Sequence, residues 1–377
     1  MTTPDYKKRL SQLRGALKKQ SLDALIVSCP ENRRYLCGYS PEDPQLNESS
    51  GFLFVSRNKA RLVTDPRYKV EAAALAPLVT SDIFTDGLDR LLPSIFKSLK
   101  ATNIGVEAPF LSMANFQKME QAGRESGLPI NLVPTQDVVE GFRLIKDEDE
   151  VTAISEALAI TEAAFAQVAA ELESGQTEKE VAWRFEQATR RLGGDGLAFP
   201  SIIASGRNGA KPHAEPSDKV ITPGEPIIFD VGVKKHGYCS DFSRTVILGD
   251  PDARFKQIYS LVRQAQQVAI AKIKPGMSTD QADALARDVI TQGGFGDFFT
   301  HSLGHGVGLA THEAPGLSRR QPVPLRVGMV VTVEPGIYLE DWGGVRLEEM
   351  VLITKHGARL LNRDNTFYTF HPTEDRP

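Results

Sequence analysis

The chain has 377 residues, of which 44 are basic and 48 are acidic, giving a net charge of -4. Its length allows two domains, and its composition is that of an ordinary globular protein. The near balance of charges argues against nucleic acid or an anionic membrane as a partner, since both need a marked excess of basic residues.

The cysteines and the N-terminal segment indicate in which cellular compartment the protein is found. Cys29, Cys37 and Cys239 form no CxxC pair and leave an odd number, which is typical of a reducing compartment. Residues 1–9 lack the apolar core of a signal peptide, and no run of about 18 apolar residues predicts a membrane span. We therefore expect a cytoplasmic protein with no membrane partner.

Residues 1–140 alternate between helix and strand patterns. Residues 6–20 place Leu10, Leu13 and Leu17 on one side of an amphipathic helix, and a second helix is expected after Tyr68. Short apolar runs predict strands at residues 24–27, 51–55, 60–64 and 104–107. This pattern predicts an α/β domain, followed by a linker over residues 141–146.

The second domain, residues 141–377, begins with a long helix pattern over residues 147–171 and then repeats itself after about 100 residues. Capping boxes start at Thr177 and at Ser278, and each opens a helix pattern that ends at a Gly-Gly pair. Asp230 and Glu334 each follow one glycine by six residues and precede another by two. We expect two related halves, each with a helix and then a hairpin whose first strand carries an acid. Such halves, facing one another, would bring their acids to one central site.

The first hairpin is predicted to bring two aspartates together. Residues 227–233 and 238–247 read as strands around a turn over residues 234–237. A turn centred between Lys235 and His236 would place Asp230 opposite Asp241, with Cβ atoms about 5 Å apart. Both carboxylates could then share metal ions.

Strand alternation also bears on the last acid. It puts Arg346 and Glu348 on one face of a strand, with Val345 and Leu347 on the other. Alternation alone does not choose between Glu348 and Glu349 as a ligand.

The strongest pattern is a predicted site for two metal ions, formed by Asp230, Asp241, His305, Glu334 and Glu348. Hard oxygen donors with a single imidazole suit Mn, Co or Zn. A cluster of four acids is tolerable when metal charge neutralises it. Gly304, Gly306 and Gly308 predict irregular backbone around His305 rather than a helix that also carries His301.

These motifs resemble the M24 metallopeptidases with the "pita-bread" fold, and most closely the Xaa-Pro peptidases, which are aminopeptidase P and prolidase. The N-terminal part is similar to the creatinase-like domain of that family through residues 32–38 and 65–68. The resemblance implies an α/β (α+β) protein with a creatinase-like N-terminal domain and a pita-bread catalytic domain containing a pseudo-two-fold repeat. It also implies that Glu348, which follows Arg346-Leu347, is the fifth ligand.

The resemblance then implies roles for the site residues. Asp230 would bind one metal, Asp241 and Glu348 would bridge both, and His305 and Glu334 would complete opposite metals. A hydroxide between the ions would be the nucleophile, with Glu334 shuttling the proton to the leaving nitrogen.

Four further residues match the family's substrate-side positions. His213 would steady the tetrahedral intermediate, and His312 would hydrogen-bond the scissile carbonyl or the proline side. His301 would line the proline pocket, and Arg346 would stabilise the site or contact substrate.

The expected activity is hydrolysis of the Xaa-Pro bond at the N-terminus of short peptides (aminopeptidase P-like). We expect the reaction to depend on two divalent cations per chain, with Mn as the preferred metal and Co or Zn as alternatives. The alternative is an Xaa-Pro dipeptidase. Creatinase-like amidinohydrolases and non-catalytic pita-bread modules are remote alternatives, because both should lack several of the five ligands. Methionine aminopeptidase shares the ligands but lacks this N-terminal domain.

The sequence does not determine the length of the peptide substrate or the oligomeric state. Many members of the family carry arginine after the His-Glu-x-Pro run, where this chain has Gly316, with Arg319 and Arg320 slightly later. That departure leaves dipeptidase and aminopeptidase both possible, with a preference for the aminopeptidase. The resemblance also implies a homodimer.

Overall fold

A computed structural model describes residues 4–43, 45 and 48–370. The described residues form two compact units, which meet in the sequence between Arg143 and Leu144. The sequence pattern had placed this boundary after residue 140.

The N-terminal unit is one six-stranded sheet with helices around it. Its helices are α1 Tyr6–Lys19, α2 Pro30–Cys37, α3 Lys69–Ala73, α4 Leu88–Leu99, α5 Met113–Glu125 and α6 Glu140–Arg143. Its strands are β1 Ala24–Val27, β2 Phe52–Ser56, β3 Ala60–Thr64, β4 Thr80–Ile83, β5 Asn103–Glu107 and β6 Asn131–Thr135. The strand order is β4-β3-β2-β1-β5-β6, with β1, β5 and β6 parallel to one another and β2 antiparallel to its neighbours.

The predicted apolar patterns of this unit are confirmed. Leu10, Leu13 and Leu17 are buried on α1, and every residue of β1 is buried. The helix expected after Tyr68 is α3, and a single 3-10 turn over Pro66–Tyr68 precedes it. Asp65 caps that turn by accepting a hydrogen bond from Arg67 N (2.8 Å).

The C-terminal unit contains four long helices and several small sheets. Its helices are α7 Glu148–Ala170, α8 Glu178–Arg191, α9 Ala253–Lys272 and α10 Thr279–Gln292. Its first-half strands are β7 Gly196–Leu197, β8 Ile202–Ser205, β9 Pro226–Val231, β10 Val233–Lys235, β11 Tyr238–Cys239 and β12 Phe242–Ile247. Its second-half strands are β13 Gly304–Gly306, β14 Glu313–Leu317, β15 Val330–Val333, β16 Gly336–Leu339, β17 Gly343–Arg346, β18 Glu349–Thr354 and β19 Gly357–Leu360.

Buried apolar side chains stabilise this unit around the five-stranded sheet of its second half. That sheet has the order β14-β13-β15-β18-β19. Helices α9 and α10 contribute Phe255, Val262 and Ile290 to one buried cluster with Val331 and Val351 of the sheet. Burial of apolar surface on this scale is the main stabilising term of such a layer.

The expected repeat is present in the helices. Both predicted capping boxes form, with Thr177 paired to Glu180 at the start of α8 and Ser278 paired to Gln281 at the start of α10. Each helix ends one or two residues before its Gly-Gly pair, and Gly193 adopts φ +89° where a side chain would be strained.

The register of the first hairpin differs from the expected one. Asp230 lies opposite Ser243 rather than Asp241, and Lys235 lies opposite Tyr238. The two central turn residues are His236 (φ +51°) and Gly237 (φ +81°), because a two-residue hairpin turn with right-handed strand twist needs positive φ at both positions. The turn is therefore one residue later than predicted and the register moves by two. Since a shift of two preserves strand alternation, Asp230 and Asp241 still face the same side.

The second half departs from the expected hairpin. Strand β15 pairs with β13 and β18, whereas β16 and β17 form a separate two-stranded sheet. Glu334 follows the end of β15 instead of lying within it. Pro335, which has no N–H to donate, comes next and ends the ladder at this point.

Helix α7 is the one helix in the described ranges long and apolar enough to cross a membrane by length and composition. Half of its most apolar window is buried within the protein. Its two buried acids have protein partners: Tyr238 Oη donates to Glu150 Oε1 (2.8 Å), and Arg363 N donates to Glu162 Oε1 (2.8 Å). These contacts indicate that α7 is a core helix of the C-terminal unit.

Candidate metal centre

Three acids from separate segments converge at one point of the C-terminal unit. Asp230 is near the end of β9, Asp241 immediately precedes β12, and Glu348 lies between β17 and β18. One carboxylate oxygen of each lies within 4.8 Å of the others. The hairpin pairing supplies the first two, and the hydrogen bond from Glu348 N to Ser243 O (3.0 Å) fixes the third beside them.

The surroundings of Glu348 distinguish it from Glu349. Ser243 Oγ donates to Glu348 Oε2 (2.9 Å), while Glu348 Oε1 is buried and has no hydrogen-bond partner among the described residues. Glu349 faces away and pairs with the buried Arg244 (3.3 Å). A buried carboxylate oxygen without a donor is unfavourable unless a cation occupies the space before it. Glu349 Oε2 is also buried without a partner among the described residues, so it is the position of Glu348 beside Asp230 and Asp241 that brings Glu348, and not Glu349, into the cluster.

His305 and Glu334 close the other side of the cluster. His305 Nε2 lies 3.3 Å from Glu334 Oε1 and 3.6 Å from Asp241 Oδ2. His305 Nδ1 lies 3.1 Å from Gly306 O, and this contact is a hydrogen bond when Nδ1 carries the proton. In that tautomer Nε2 is free to act as a ligand, an arrangement that commonly orients metal-binding histidines. Thr332 Oγ1 donates to Glu334 Oε1 (3.0 Å) and orients that carboxylate.

The acids influence one another's protonation strongly. Burial, together with neighbouring carboxylates, raises the pKa of Asp241 and of Glu348 well above the ordinary range. Burial also raises the pKa of Asp230, although Arg346 opposes the shift. Burial acts to raise the pKa of Glu334 too, but the hydrogen bond and charge of His305 outweigh it and lower that pKa to about 2. Without added positive charge, the cluster therefore favours protonated Asp241 and Glu348.

The donor set fits divalent cations. Four carboxylates and one imidazole are hard and borderline ligands of the kind that bind Mn, Co or Zn. The unpartnered Glu348 Oε1 and the raised pKa values of two acids both indicate a site that positive charge would complete. All five residues predicted as ligands are therefore brought together by the fold.

Arg346 is held by the protein at every nitrogen of its side chain. Its Nη2 donates to Asp230 Oδ2 (2.5 Å), and its Nε donates to Ser243 Oγ (3.1 Å). Its Nη1 donates to Tyr338 Oη (2.8 Å) and to Pro212 O (3.2 Å). The side chain is buried beside the acids and lines the cavity, so its observed contacts are those of a residue that orients Asp230.

The three histidines predicted on the substrate side line one cavity with the acids. The cavity has a volume of about 450 Å³, and its walls include His213, His301 and His312. The His312 ring centroid lies 4.3 Å from that of His305. Burial lowers the pKa of His301, and burial with the charge of His305 lowers that of His312, so both imidazoles are neutral near pH 7. The remaining wall is largely apolar, with Phe199, Pro200 and Ile202, and suits a compact apolar ring.

Tyr338 is a site residue that the sequence did not single out. Its Oη accepts from Arg346 Nη1 and lies 2.8 Å from His301 Nε2, to which it can donate. His301 Nδ1 lies 2.8 Å from Ser302 O. This chain of hydrogen bonds joins the cluster of acids, through Arg346, to the His301 side of the cavity. The only sequence signal was the Tyr at the end of the Glu-Pro-Gly-Ile-Tyr run.

We expect Tyr338→Phe to lower kcat/KM about 10-fold and the free energy of unfolding by about 1–2 kcal/mol, because two buried hydrogen bonds are lost. The measurement is steady-state cleavage of an Xaa-Pro peptide together with chemical denaturation. Tyr259→Phe is the matched control, since Tyr259 is equally buried and its Oη accepts from Tyr368 N (3.2 Å) away from the cavity. Equal falls in kcat/KM for the two variants would contradict a role for Tyr338 in the site.

A second cavity of about 540 Å³ shares His301, Ser302 and Ser318 with the first. Its walls carry Arg287, Arg319 and Arg320 against a single acid, Asp283. Asp283 is already occupied, because Arg287 binds it through Nε (2.7 Å) and Nη2 (2.8 Å). The surplus charge of this cavity is therefore positive.

Comparison with known proteins covers nearly the whole chain. The sequence model of the metallopeptidase family M24 matches residues 152–355, and that of the creatinase/prolidase N-terminal domain matches residues 9–145. The Xaa-Pro dipeptidase of Pyrococcus furiosus is 35% identical over 361 residues, which cover 95% of this chain and 98% of that protein.

Two solved structures show the same architecture. The Xaa-Pro dipeptidase from Bacillus anthracis has a TM-score of 0.89 at 33% identity, covering 96% of this chain and 98% of that one. The X-Pro aminopeptidase from Thermotoga maritima has a TM-score of 0.85 at 33% identity, covering 93% and 96%. The expected fold, a creatinase-like domain followed by a pita-bread domain, is confirmed.

Proposed function

Because this chain belongs to metallopeptidase family M24, we propose that it hydrolyses the bond between an N-terminal residue and proline in short peptides. One observation carries the proposal: carboxylate oxygens of Asp230, Asp241 and Glu348 lie within 4.8 Å of one another beside a cavity lined by four histidines, and one Glu348 oxygen is buried without a partner among the described residues. Relatives whose names describe Xaa-Pro cleavage support the bond type. Proline has no N–H and a fixed φ, so such a bond requires a dedicated site.

In this proposal Asp230, Asp241, His305, Glu334 and Glu348 hold two divalent cations. The cations, when bound, would supply Lewis-acid chemistry that activates water and polarises the scissile carbonyl. The ligand set supports manganese first, with cobalt or zinc as alternatives.

The residues around the ligands then have separate tasks. Glu334 accepts a proton from the attacking water and delivers it to the proline nitrogen, a role that fits its place at the edge of the cluster, where its Oε1 faces His305. His312 and His213 reach the cavity from exposed segments and hydrogen-bond the substrate carbonyl. His301 lines the proline pocket, and Arg346 orients the Asp230 carboxylate by a hydrogen bond.

Location and assembly are also part of the proposal. Cys29, Cys37 and Cys239 are buried and none of them forms a disulfide within the described residues, which supports a reducing cytoplasm. The family resemblance supports a homodimer, and light scattering of the purified protein would test it.

Peptide length is a separate matter. The relatives include proteins named as Xaa-Pro dipeptidases and the X-Pro aminopeptidase from Thermotoga maritima. The second cavity favours aminopeptidase-type action, because it continues from the His301 side and could accept the carboxylate of a longer peptide on Arg320, whose side chain is exposed. Cleavage of dipeptides alone remains the alternative.

The decisive assay uses metal-free protein supplied in turn with Mn, Co or Zn, and compares Xaa-Pro with Xaa-Pro-Yaa. Cleavage of the tripeptide after its first residue would establish the aminopeptidase, and cleavage of the dipeptide alone would establish the dipeptidase. Cleavage of neither by protein holding two metals per chain would reject the proposed function.

We expect Arg320→Gln to raise KM for Xaa-Pro-Yaa about 10-fold, since a charge-assisted hydrogen bond to the peptide carboxylate is lost. The same peptide with a C-terminal amide should show no such change. Arg326→Gln, at another exposed arginine of the same unit, is the matched control. An unchanged KM for the free-acid peptide would show that Arg320 does not bind its carboxylate.

A further inference from the structure

One carboxylate outside the candidate metal centre, that of Glu178, is fully buried in the C-terminal unit. Glu178 is the first residue of α8 and has no exposed surface. The capping box at this helix end is made by Thr177 and Glu180, so the start of the helix does not depend on the Glu178 side chain. Burying an anion is costly unless several donors surround it.

The donors to Glu178 come from three residues of a neighbouring segment. Ser205 donates to Oε1 through its N (2.6 Å) and its Oγ (2.9 Å). Ser217 donates to Oε2 through its N (3.0 Å) and its Oγ (2.7 Å), and Asn208 Nδ2 adds a fifth hydrogen bond (2.8 Å). Lys219 Nζ donates to Ser205 Oγ (2.8 Å), which places a cation one hydrogen bond away.

These contacts close a loop that forms part of the cavity wall. Ser205 and Ser217 bracket residues 206–216, and four consecutive residues of that stretch line the cavity, namely Pro212, His213, Ala214 and Glu215. A single carboxylate therefore holds both ends of the segment that carries His213.

The same segment is held from the metal side. Arg346 Nη1 donates to Pro212 O (3.2 Å), next to His213. His213 itself is exposed, whereas the next residue, Ala214, is buried against Ile202 and Ala204. The two anchors, Arg346 at the middle of the segment and Glu178 at its ends, set where His213 stands relative to the acids.

We propose that Glu178 is a positioning residue that holds the 205–217 segment so that His213 reaches the substrate. The inference rests on the proposed function, because His213 matters only if a substrate occupies the cavity. Glu178 does not touch the reacting atoms, and it acts only through the segment it anchors.

The test is a double-mutant cycle between Glu178→Gln and His213→Ala, with kcat/KM for an Xaa-Pro peptide and thermal denaturation as readouts. Glutamine keeps the shape but presents N–H groups to N–H and O–H donors. We expect Glu178→Gln to lower kcat/KM roughly 10- to 100-fold, because small displacements of a catalytic group have effects of that order. In the His213→Ala background Glu178→Gln should lower kcat/KM no further, while its effect on the denaturation midpoint should be the same in both backgrounds.

Thr177→Ala is the control for stability alone. It removes the N-cap of the same helix and should lower the denaturation midpoint without changing kcat/KM. If Glu178→Gln folds poorly, Ser217→Ala removes one donor of the cluster and should give a smaller change with the same dependence on His213. Equal loss of kcat/KM in both His213 backgrounds would overturn the proposal.

Hydrogen exchange makes the test independent of the substrate. Amides of residues 206–217 should exchange faster in Glu178→Gln than in the parent protein, and Thr177→Ala should leave them unchanged. If the metal-loaded parent cleaves no Xaa-Pro peptide, the proposed function fails, and exchange still decides whether Glu178 anchors the segment. Unchanged exchange in Glu178→Gln would overturn the anchoring itself.

Discussion

Replacing Asp241 with asparagine should lower kcat/KM for Xaa-Pro peptides by at least about 1000-fold, with fewer than two divalent cations retained per chain. Asp241 is buried and its carboxylate faces Asp230, Glu348 and His305. An amide supplies one neutral oxygen where a carboxylate supplies two charged ones. Loss of about 4 kcal/mol of charge stabilisation in the transition state corresponds to this factor. Metal analysis and steady-state kinetics are the measurements.

The same substitution should stabilise the protein in a chelator. Without cations, ionising the buried Asp241 among three other acids is unfavourable, which is why its pKa is raised, and a neutral amide at this position avoids that cost at high pH. Asp341→Asn is the matched control, since Asp341 is largely exposed and pairs with Arg254 (3.2 Å) on the surface of the same unit. Two cations per chain and full activity in Asp241→Asn would contradict the ligand assignment, whereas a metal-binding protein that cleaves no peptide would contradict only the reaction.

Removal of the metals should also reverse the usual pH dependence of stability. In chelator the protein should be more stable at pH 5 than at pH 8. The pKa values of Asp241 and Glu348 are raised above their unfolded values of about 3.9 and 4.3, so the folded protein binds more protons than the unfolded chain in between. Their contribution to stability is complete below about pH 4 and is lost as pH rises through the folded pKa values. Glu334 acts in the opposite sense, but only as pH falls from about 4 towards 2. His301 and His312, whose pKa values are lowered, also oppose the effect as pH falls below about 6.5, and we expect the more strongly shifted Asp241 and Glu348 to outweigh them.

Thermal denaturation from pH 5 to pH 8, in chelator and in excess Mn, would measure this effect. Added metal should stabilise the protein most at high pH, because ligands must lose their protons to bind it. Glu107 and Glu349, whose pKa values rise to about 7 by burial, shift stability in the same direction. Since both remain in Asp241→Asn, the difference between that variant and the parent isolates the cluster. A parent protein that loses stability in chelator from pH 8 to pH 5 would refute the prediction.

Much of the site followed from the sequence because its donors are local and chemically distinctive. The relation between Asp230 and Asp241 depends on a single hairpin, and alternation along two strands keeps both on one face even though the predicted turn was one residue early. The glycines around His305 correctly indicated irregular backbone, where β13 is only three residues long. Most of the ligand set could therefore be predicted from short-range sequence patterns.

Contacts between distant segments were not readable in the same way. Glu348 is distinguished from Glu349 by Ser243, which is about 100 positions earlier, and Tyr338 gains its importance only from Arg346 and His301. The pairing of β15 with β18 rather than β16 likewise depends on tertiary packing around Pro335. Glu178 resembled an ordinary first-turn acid, because its five donors belong to a segment beginning 27 residues later.

The turn at His236 and Gly237 has a consequence for how this protein can change in length during evolution. If the tip keeps its two-residue turn, one added or deleted residue there would move every later side chain of the hairpin to the opposite face and direct the Asp241 carboxylate away from Asp230. Two residues would lengthen the hairpin and leave the carboxylates facing each other. Insertions and deletions tolerated at this tip should therefore come in even numbers, unless a bulge elsewhere in the hairpin absorbs the odd residue.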